Sequence, residues 1–289
     1  MIEGIINIDK PSGMTSHDVV YRVRRAAQTK RVGHAGTLDP AATGILLLCI
    51  GRATRLVEYL VGRPKTYVGQ IKLGETTNTY DADGEIVLSR PVPELNAASV
   101  DQALEQFRGD ILQIPPMVSA IKKDGQPLYK LARQGKEVDR PPRPITIYAL
   151  HLKHFAAPFL EIEVTCSAGT YIRSIAHDLG ETLGCGGHLT TLRRTAVGRF
   201  ALDTALPLDQ LDQETIEAHL LPADNAVEHL PPLYLNQEET ENLTFGRPIP
   251  RRPDGPEAEL VRVYGLAGNF MGLVTQKGNI WKPKKLFID

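Results

Sequence analysis

The sequence predicts an α+β fold (mixed α/β) that is rich in strand. Apolar runs typical of strands and runs of helical period follow each other without a regular βαβ alternation. The chain has 289 residues, long enough for one large domain and one small one. Its composition of 42% hydrophobic and 23% charged residues is typical of a globular protein, so disorder and fibrous repeats are excluded.

The first part of the chain predicts two strands and two helices. GIINID (4–9) is a short apolar run closed by the turn sequence KPSG, which favours a strand. Ser16 stands in the N-cap position before apolar residues at helical spacing, which predicts a helix over 17–28. GILLLCIG (44–51) predicts a buried strand, and ATRLVEYLVG (53–62) predicts a helix that ends at a glycine.

The middle of the chain predicts more strand. β-branched and aromatic residues in TYVGQIKLG (66–74) favour a strand. Ser99 and Gln102 have the spacing of a capping box, which predicts a helix over 99–108. The remaining predicted elements are a basic helix at 128–138, a strand hairpin at 144–155 and 159–166, and a helix at 169–184 that ends at Gly184.

A domain boundary is expected near 225–235. An acidic segment ends there in HLPPLYL, and the residues that follow are rich in Gly, Pro and short apolar runs such as ELVRVYGL and FMGLVTQ. We therefore expect a large domain at 1–231 and a small β module at 232–289.

The net charge of −1 hides an uneven distribution. Residues 1–65 hold ten Lys/Arg against five Asp/Glu, residues 119–153 eight against three, and residues 246–289 eight against four. Residues 201–245 hold ten carboxylates and no Lys or Arg. Separated basic segments beside an acidic one favour a dipolar protein with one face toward RNA or DNA, although an ordinary solvated surface is the alternative.

Several common functions are excluded by missing motifs. The longest apolar run, at 45–50, is far shorter than the roughly 20 residues of a membrane helix. P-loop, GxGxxG, HExxH and zinc-deaminase patterns do not occur, and DADGEI at 81–86 lacks the acidic twelfth position of a calcium loop, so it predicts only a turn. The three cysteines are widely spaced and expected to be reduced. We therefore expect a cytoplasmic protein without cofactor, metal or membrane partner.

RVGHAGTLDP at 31–40 is the stretch that points to chemistry. Asp before Pro commonly starts a turn, so Asp39 by itself indicates only a turn. Two glycines, however, permit the close approach of a ligand, and Lys30, Arg31 and His34 add positive charge and a flat ring suited to phosphates and bases. A basic helix and a buried strand flank the loop, so a rigid scaffold would present its carboxylate.

A series of motifs in residues 10–194 resembles a known family. The motifs are KPSGMTSHDVV, GHAGTLDPAATGILLLCIGRATR, KTYVGQIKLG, TYDADG, LYKLARQG, RPITIY, CSAGTYIRSIAHDLG and GGHLTTLRR. In this order they resemble the bacterial tRNA pseudouridine synthases that act on uridine 55 of the T loop. The C-terminal residues resemble, more loosely, the small PUA-like RNA-binding domain of that family.

This resemblance implies a fold and a mechanism. The implied catalytic domain has a mixed, largely antiparallel sheet flanked by helices, and it acts on the T stem-loop of tRNA by base flipping, without a cofactor. The oligomeric state cannot be read from the sequence, but a monomer suits a partner of the size of tRNA. The catalytic aspartate of the family falls on Asp39. Its carboxylate could attack C6 or C1′ or take the C2′ proton, and the sequence leaves all three routes open. Arg173 matches the arginine that pairs with this carboxylate and keeps it ionised.

The resemblance also implies a substrate pocket. Tyr67 matches the tyrosine that stacks on the flipped base, and Tyr171 and Leu192 match positions that line the uracil pocket. His34 matches the histidine that enters the space left by the flipped nucleotide. Lys10 belongs to a turn that supports the pocket.

Basic residues outside the pocket are candidates for contacts with the RNA backbone. They are Lys30, Arg31, Lys130, Arg133 and Lys136. Two classes of function remain open: a cofactor-free synthase, and a non-catalytic RNA-binding or RNA-remodelling protein that uses the same surface. The combination of Asp39, Tyr67 and Arg173 favours the enzyme, because a pure binder does not need all three.

Overall fold

The structure is a computed structural model that describes residues 2–119, 121–123, 125–136 and 138–288. The strands are β1 (Gly4–Lys10), β2 (Val32–His34), β3 (Thr43–Ile50), β4 (Lys65–Leu73), β5 (Glu75–Thr77), β6 (Ile86–Ser89), β7 (Gly109–Gln113), β8 (Lys122–Lys123), β9 (Gln126–Pro127), β10 (Arg143–Ala156), β11 (Phe159–Cys166), β12 (Gly187–Val197), β13 (Phe200–Ala201), β14 (Leu206–Pro207), β15 (Pro232–Tyr234), β16 (Ile249–Pro250), β17 (Leu260–Tyr264), β18 (Phe270–Lys277) and β19 (Ile280–Leu286). The helices are α1 (Ser16–Ala26), α2 (Val57–Val61), α3 (Ala97–Leu104), α4 (Leu128–Arg133), α5 (Ile172–Thr182), α6 (Gln213–His219) and α7 (Gln237–Thr244).

A mixed ten-stranded sheet forms the centre of the molecule. Its order is β14-β1-β3-β12-β4-β11-β10-β7, with β2 beside β3 and β13 beside β12. Among the described strands of this sheet, β1 with β14 and β3 with β12 are parallel, and the other pairs are antiparallel. The predicted α+β fold with a largely antiparallel sheet is therefore confirmed. The parallel contact between β3 and β12 joins the two halves of the sheet.

The two halves of the sheet bury their faces differently. β1 and β3 are buried along nearly their whole length, because α1 and α6 cover one face while α2 and part of the C-terminal sheet cover the other. They are therefore continuous apolar runs. β4 and β11 alternate between buried and half-buried positions, and their buried side chains pack with those of α3 and α5. A helix long and apolar enough to span a bilayer does not occur among the described residues.

The start of α1 differs from the prediction in a way that matters for the site. The N-cap is Thr15, whose hydroxyl accepts from the Asp18 backbone while the Asp18 carboxylate accepts from the Thr15 backbone. The prediction of Ser16 as the N-cap was therefore wrong. Ser16 is the first helical residue, its side chain is buried, and its hydroxyl bonds to Leu38 in the loop at 35–42.

The bounds of other helices also differ from the predicted ones. Asn96 and Ser99 form the capping box of α3, so the predicted Ser99–Gln102 box was wrong. α4 ends at Arg133 because Gly135, at φ 69°, closes it, and Lys136 therefore lies beyond the helix rather than within it. The segment at 53–62 is a 3₁₀ turn followed by the short α2. α5 begins at Ile172, three residues later than predicted, and the predicted hairpin of β10 and β11 is confirmed.

A second sheet occupies the C-terminal residues. Its order is β15-β17-β18-β19-β16, with its own apolar cluster that includes the buried Trp281. It packs against the large sheet, because Leu273 and Phe287 share a core with Ile5. Lys285 also forms an ion pair with Glu58 of α2.

Candidate active site

Two buried polar side chains, Ser16 and Lys10, hold the loop at 35–42. Ser16 accepts a hydrogen bond from the Leu38 backbone nitrogen at 2.9 Å. The ammonium of Lys10, fully buried, donates to the carbonyl of Pro40 at 3.0 Å and to two carbonyls of its own turn. Asp39 lies between these two anchors. Its position is therefore set by long-range bonds and not by the turn sequence alone.

Arg194 anchors the loop from the opposite side. Its side chain is 1% exposed and donates from Nε to the Ile45 carbonyl at 2.7 Å and from Nη2 to the Gly36 carbonyl at 3.1 Å. Gly36 has φ 108°, which side chains rarely allow, and a Cβ there would lie 3.3 Å from Lys65. The glycine permits this close approach of the loop to Lys65 on β4 and Arg194 on β12.

Asp39 is paired with a buried arginine. Arg173, the second residue of α5, is 5% exposed at its side chain and lies 3.1 Å from Asp39, measured from Nε to Oδ2. Its Nη1 lies 3.2 Å from Oδ2 of Asp81. The guanidinium also donates to the carbonyls of Thr79 and Val118 at 3.2 and 2.9 Å. Arg173 is thus a rigid bridge between two carboxylates.

The carboxylate of Asp39 has a raised pKa. Burial against the cleft wall is the largest cause, and the negative charges of Asp81 and Asp83 add to it, whereas Arg173 and Lys10 act in the opposite direction. One side of the carboxylate still faces the cleft, since 44% of the side chain is exposed. Arg173 therefore limits the effect of burial without overcoming it, and Asp39 is a stronger base than a solvated aspartate.

A cleft of about 260 Å³ opens over Asp39. Tyr67 from β4, Tyr171, Leu192 from β12 and Arg173 line it together with Asp39. Their elements are far apart in the sequence and meet here through the pairing of β4 with β12 and the position of α5 above them. The structure therefore brings together five of the six catalytic and pocket residues that the sequence pointed to.

The two tyrosines of the cleft are held firmly. Tyr67 is 8% exposed, and burial raises the pKa of its phenol, while Arg194 beside it partly opposes this effect. The backbone of Tyr171 is clamped in both directions by Gln113, which accepts from its nitrogen at 2.8 Å and donates to its carbonyl at 3.0 Å. Burial raises the pKa of the Tyr171 phenol as well, so both phenols keep their protons at neutral pH and can donate a hydrogen bond.

The remaining candidates lie outside the cleft. His34 on β2 does not line it, although it stands two residues before Gly36, and its ring meets that of His17 edge to face at 5.7 Å. Burial lowers the pKa of His34, which favours the neutral ring. Lys30, Arg31, Lys130 and Lys136 are exposed on the surface. The side chain of the fifth candidate, Arg133, lies outside the described part of the chain.

Sequence reasoning missed three charged residues of the site. Asp81 was assigned only to a turn, and it does lie in one, but its carboxylate also reaches Arg173. Lys65 is 6% exposed and lines the cleft, and burial lowers its pKa to about 8. Arg194 is the last residue of the motif GGHLTTLRR, and the sequence predicted no role for it. Their part in the site becomes evident only from their burial in the structure. The one sequence signal was the family motif TYDADG, which contains Asp81.

Within the described residues, no group of three or more His, Cys, Asp or Glu side chains has the geometry of a metal site. The available chemistry is that of the carboxylate of Asp39 beside a fixed cation and two phenols. Such a site can add a nucleophile to an electrophilic carbon or exchange a proton with it.

Comparison with known proteins assigns the whole chain to one family. The model described as "TruB family pseudouridylate synthase (N terminal domain)" matches residues 24–172. The model described as "tRNA pseudouridylate synthase B C-terminal domain" matches residues 173–228, and "Pseudouridine synthase II TruB, C-terminal" matches residues 231–287.

Curated relatives and solved structures agree. The chain is 43% identical over 292 residues to a "tRNA pseudouridine synthase B" of Haemophilus influenzae, covering 99% of this chain and 95% of that protein. It is 44% identical over 293 residues to the protein of the same name from Dehalococcoides mccartyi, covering 99% and 97%. Among solved structures, a chain of a Cbf5-Nop10-Gar1 complex superposes with a TM-score of 0.75 at 27% identity, covering 99% of this chain and 85% of that one. The chain therefore belongs to the TruB family of pseudouridylate synthases.

Proposed function

We propose that this protein isomerises uridine to pseudouridine at position 55 in the T loop of tRNA, with Asp39 as the catalytic carboxylate. The observation that carries the proposal is the ion pair of Asp39 with the buried Arg173 on the wall of a cleft that also holds Tyr67. Relatives at 43% and 44% identity bear the name of a tRNA pseudouridine synthase, which supports tRNA as the substrate.

The reaction needs no external group. It breaks the bond from N1 of uracil to C1′, turns the base, and forms a bond from C5 to C1′, so a proton moves but the redox state is unchanged. Asp39 acts either by adding to C6 or C1′ or by taking the C2′ proton. A raised pKa favours all three routes, because it makes the carboxylate both a better base and a better nucleophile.

The partners of Asp39 have distinct roles in this proposal. Arg173 keeps Asp39 ionised enough to react and fixes the direction of its oxygen atoms. Tyr67 stacks on the extruded base, and Tyr171 and Leu192 close the pocket around the uracil ring. At about 260 Å³ the cleft is smaller than the roughly 300–1,000 Å³ of most ligand pockets, which suits one flipped nucleotide rather than a duplex.

Base flipping accounts for the position of the active carboxylate on a basic loop. Extrusion of a nucleotide costs a few kcal/mol, and groups next to the cleft must offset it. We assign His34 to the space vacated by the nucleotide and the exposed Lys30 and Arg31 to nearby phosphates.

The C-terminal module at 232–289 supplies further affinity for RNA in this proposal. Its sheet packs on the large domain through Leu273 and Phe287, so its position relative to the large domain is fixed. We expect one monomer in the bacterial cytoplasm to bind one tRNA.

The test uses a T stem-loop tritiated at C5 of the target uridine. Formation of the bond from C5 to C1′ expels this hydrogen, so the native chain releases tritium to water. Asp39→Asn keeps the size of the side chain but removes its charge, and we expect at least a 10³-fold slower release with RNA affinity retained. Asp203→Asn, an exposed aspartate in the acidic segment, is the matched control and should react normally.

Two results would contradict the proposal. Release by Asp39→Asn at the native rate would show that the carboxylate is only a turn residue. Tight binding without release by the native chain would favour a non-catalytic RNA-binding protein. Position 55 is tested separately with a tRNA transcript that carries cytidine there, which should yield no pseudouridine.

A further inference from the structure

The turn that carries Asp81 has an unusual backbone. Tyr80 has φ 65°, a left-handed conformation that it shares, among the non-glycine residues described, only with Gln28. Bulky side chains rarely adopt this conformation because the Cβ approaches the following carbonyl. Contacts with residues outside the turn must therefore stabilise the left-handed conformation of Tyr80.

The ring of Tyr80 is stacked on a histidine. The centroids of the Tyr80 and His177 rings are 3.9 Å apart and the ring planes differ by 9°. His177 lies on α5 four residues after Arg173, so the two side chains leave the same face of the helix one turn apart. Hydrogen bonds at both ends complete the fit, since the Tyr80 nitrogen donates to Thr77 and its carbonyl accepts from Leu189.

The residues on either side of Tyr80 both contact Arg173. The Thr79 carbonyl accepts from Nη1 at 3.2 Å, and Asp81 lies 3.2 Å from the same nitrogen. Helix α5 thus contacts this turn at two points. The guanidinium of Arg173 binds the residues on either side of Tyr80, and the imidazole of His177 stacks on the Tyr80 ring. Loss of the stacking contact would allow Tyr80 to leave its strained conformation between the two contacts that Thr79 and Asp81 make with Arg173.

We propose that the stacked pair of Tyr80 and His177 is a positioning element for the reaction, which keeps Asp81 against Arg173 and so fixes the guanidinium that orients Asp39. The inference rests on the proposed function of Asp39 and Arg173. Neither ring belongs to the residues that line the cleft, so the pair acts through its neighbours and not on the substrate.

The surroundings of His177 fit a stacking role. Within the described residues, its buried Nδ1 has no hydrogen-bond partner, so the plane of the ring provides the contact. Burial lowers the pKa of this imidazole, and Arg140 acts in the same direction, while Glu181 opposes it. A neutral ring is the better neighbour for the guanidinium one turn away on the same helix.

The test separates stacking from folding by paired substitutions. Tyr80→Gly removes the ring but accepts the left-handed backbone, so the turn stays allowed, and His177→Ala removes the other ring. We expect each to lower the single-turnover rate of tritium release 5- to 50-fold, with KM for the stem-loop changed less than twofold. Tyr80→Phe and His177→Phe keep two flat rings and should stay within twofold of the native rate.

A double substitution tests the route of action. If the stack works through Asp81, Tyr80→Gly should slow an Asp81→Asn protein by less than twofold, because the group it positions is already altered. An equal loss in both backgrounds would overturn the inference. So would a rise in KM with an unchanged rate, or a loss in His177→Phe as large as in His177→Ala.

Failure of the proposed function gives a different pattern. In that case the native chain releases no tritium, or Asp39→Asn releases it at the native rate, whatever residue stands at 80. Should Tyr80→Gly fold poorly, Tyr80→Asn, which also tolerates a left-handed backbone, takes its place with the same expected loss.

Discussion

Arg194→Met should destabilise the protein far more than the same change at its neighbour Arg193. Both arginines lie on β12, and successive side chains of a strand point to opposite faces. Arg194 is 1% exposed and bridges the carbonyls of Gly36 and Ile45. The Arg193 side chain is 41% exposed and forms an ion pair with Asp9 at 2.7 Å.

The expected magnitude follows from these contacts. Hydrogen bonds to a charged group contribute about 1.5–3 kcal/mol each, so loss of two removes about 3–6 kcal/mol. Relief of the buried guanidinium's desolvation returns part of this, which leaves a net loss of about 2–4 kcal/mol. For a large domain, at about 2–4 °C per kcal/mol, this lowers Tm by roughly 4–16 °C. The exposed pair of Arg193 contributes about 0–1 kcal/mol.

Thermal unfolding followed by circular dichroism measures both variants against the native chain. The rate of tritium release should also fall in Arg194→Met, because Gly36 lies three residues before Asp39 in the loop that Arg194 anchors. Equal Tm shifts for the two methionine variants would contradict this prediction, because they would show that the buried bridge of Arg194 does not hold the loop.

Three other predictions concern separate parts of the molecule. Gly44→Ala should abolish soluble expression, because φ is 97° and its Cβ would lie 2.2 Å from a carbonyl oxygen of β12, whereas Gly13→Ala, at φ 82° in open space, should cost only about 1–2 kcal/mol in a urea titration. Burial raises the pKa of Asp178 from 3.8 to about 6, so the native chain gains stability as the pH falls through 6. Asp178→Asn should therefore be more stable than the native chain at pH 8 by about 1–3 kcal/mol. This difference in stability should vanish near pH 4, where the native carboxyl is protonated. Joint replacement of Lys130 and Lys136 by Ala should weaken tRNA binding and reduce the slope of log affinity against log salt by about 1–2, and an unchanged slope would remove them from the RNA surface.

Elements whose signals are local could be predicted from the amino-acid sequence. The continuous apolar runs of β1 and β3, the helical spacing of α1 and the alternation of β11 were all sufficient to place those elements. The loop with Asp39 was also recognisable, because its glycines, its cations and its Asp-Pro pair lie within a dozen residues. Such signals depend on backbone preferences and on side-chain period, and both are properties of neighbouring residues.

Which charges are buried, and which groups they contact, depends on the packing of elements that are distant in the sequence. The resemblance implied that Arg173 pairs with Asp39, but only the structure shows that its side chain is 5% exposed and also reaches Asp81. Arg194 bonds to Ile45, which is 149 positions away in the chain. The left-handed turn of Tyr80 and its stack on His177 likewise have no local signal. A buried charge or a strained turn is stable only when distant elements supply its partners, and the pairing of β3, β4 and β12 beneath α5 supplies them.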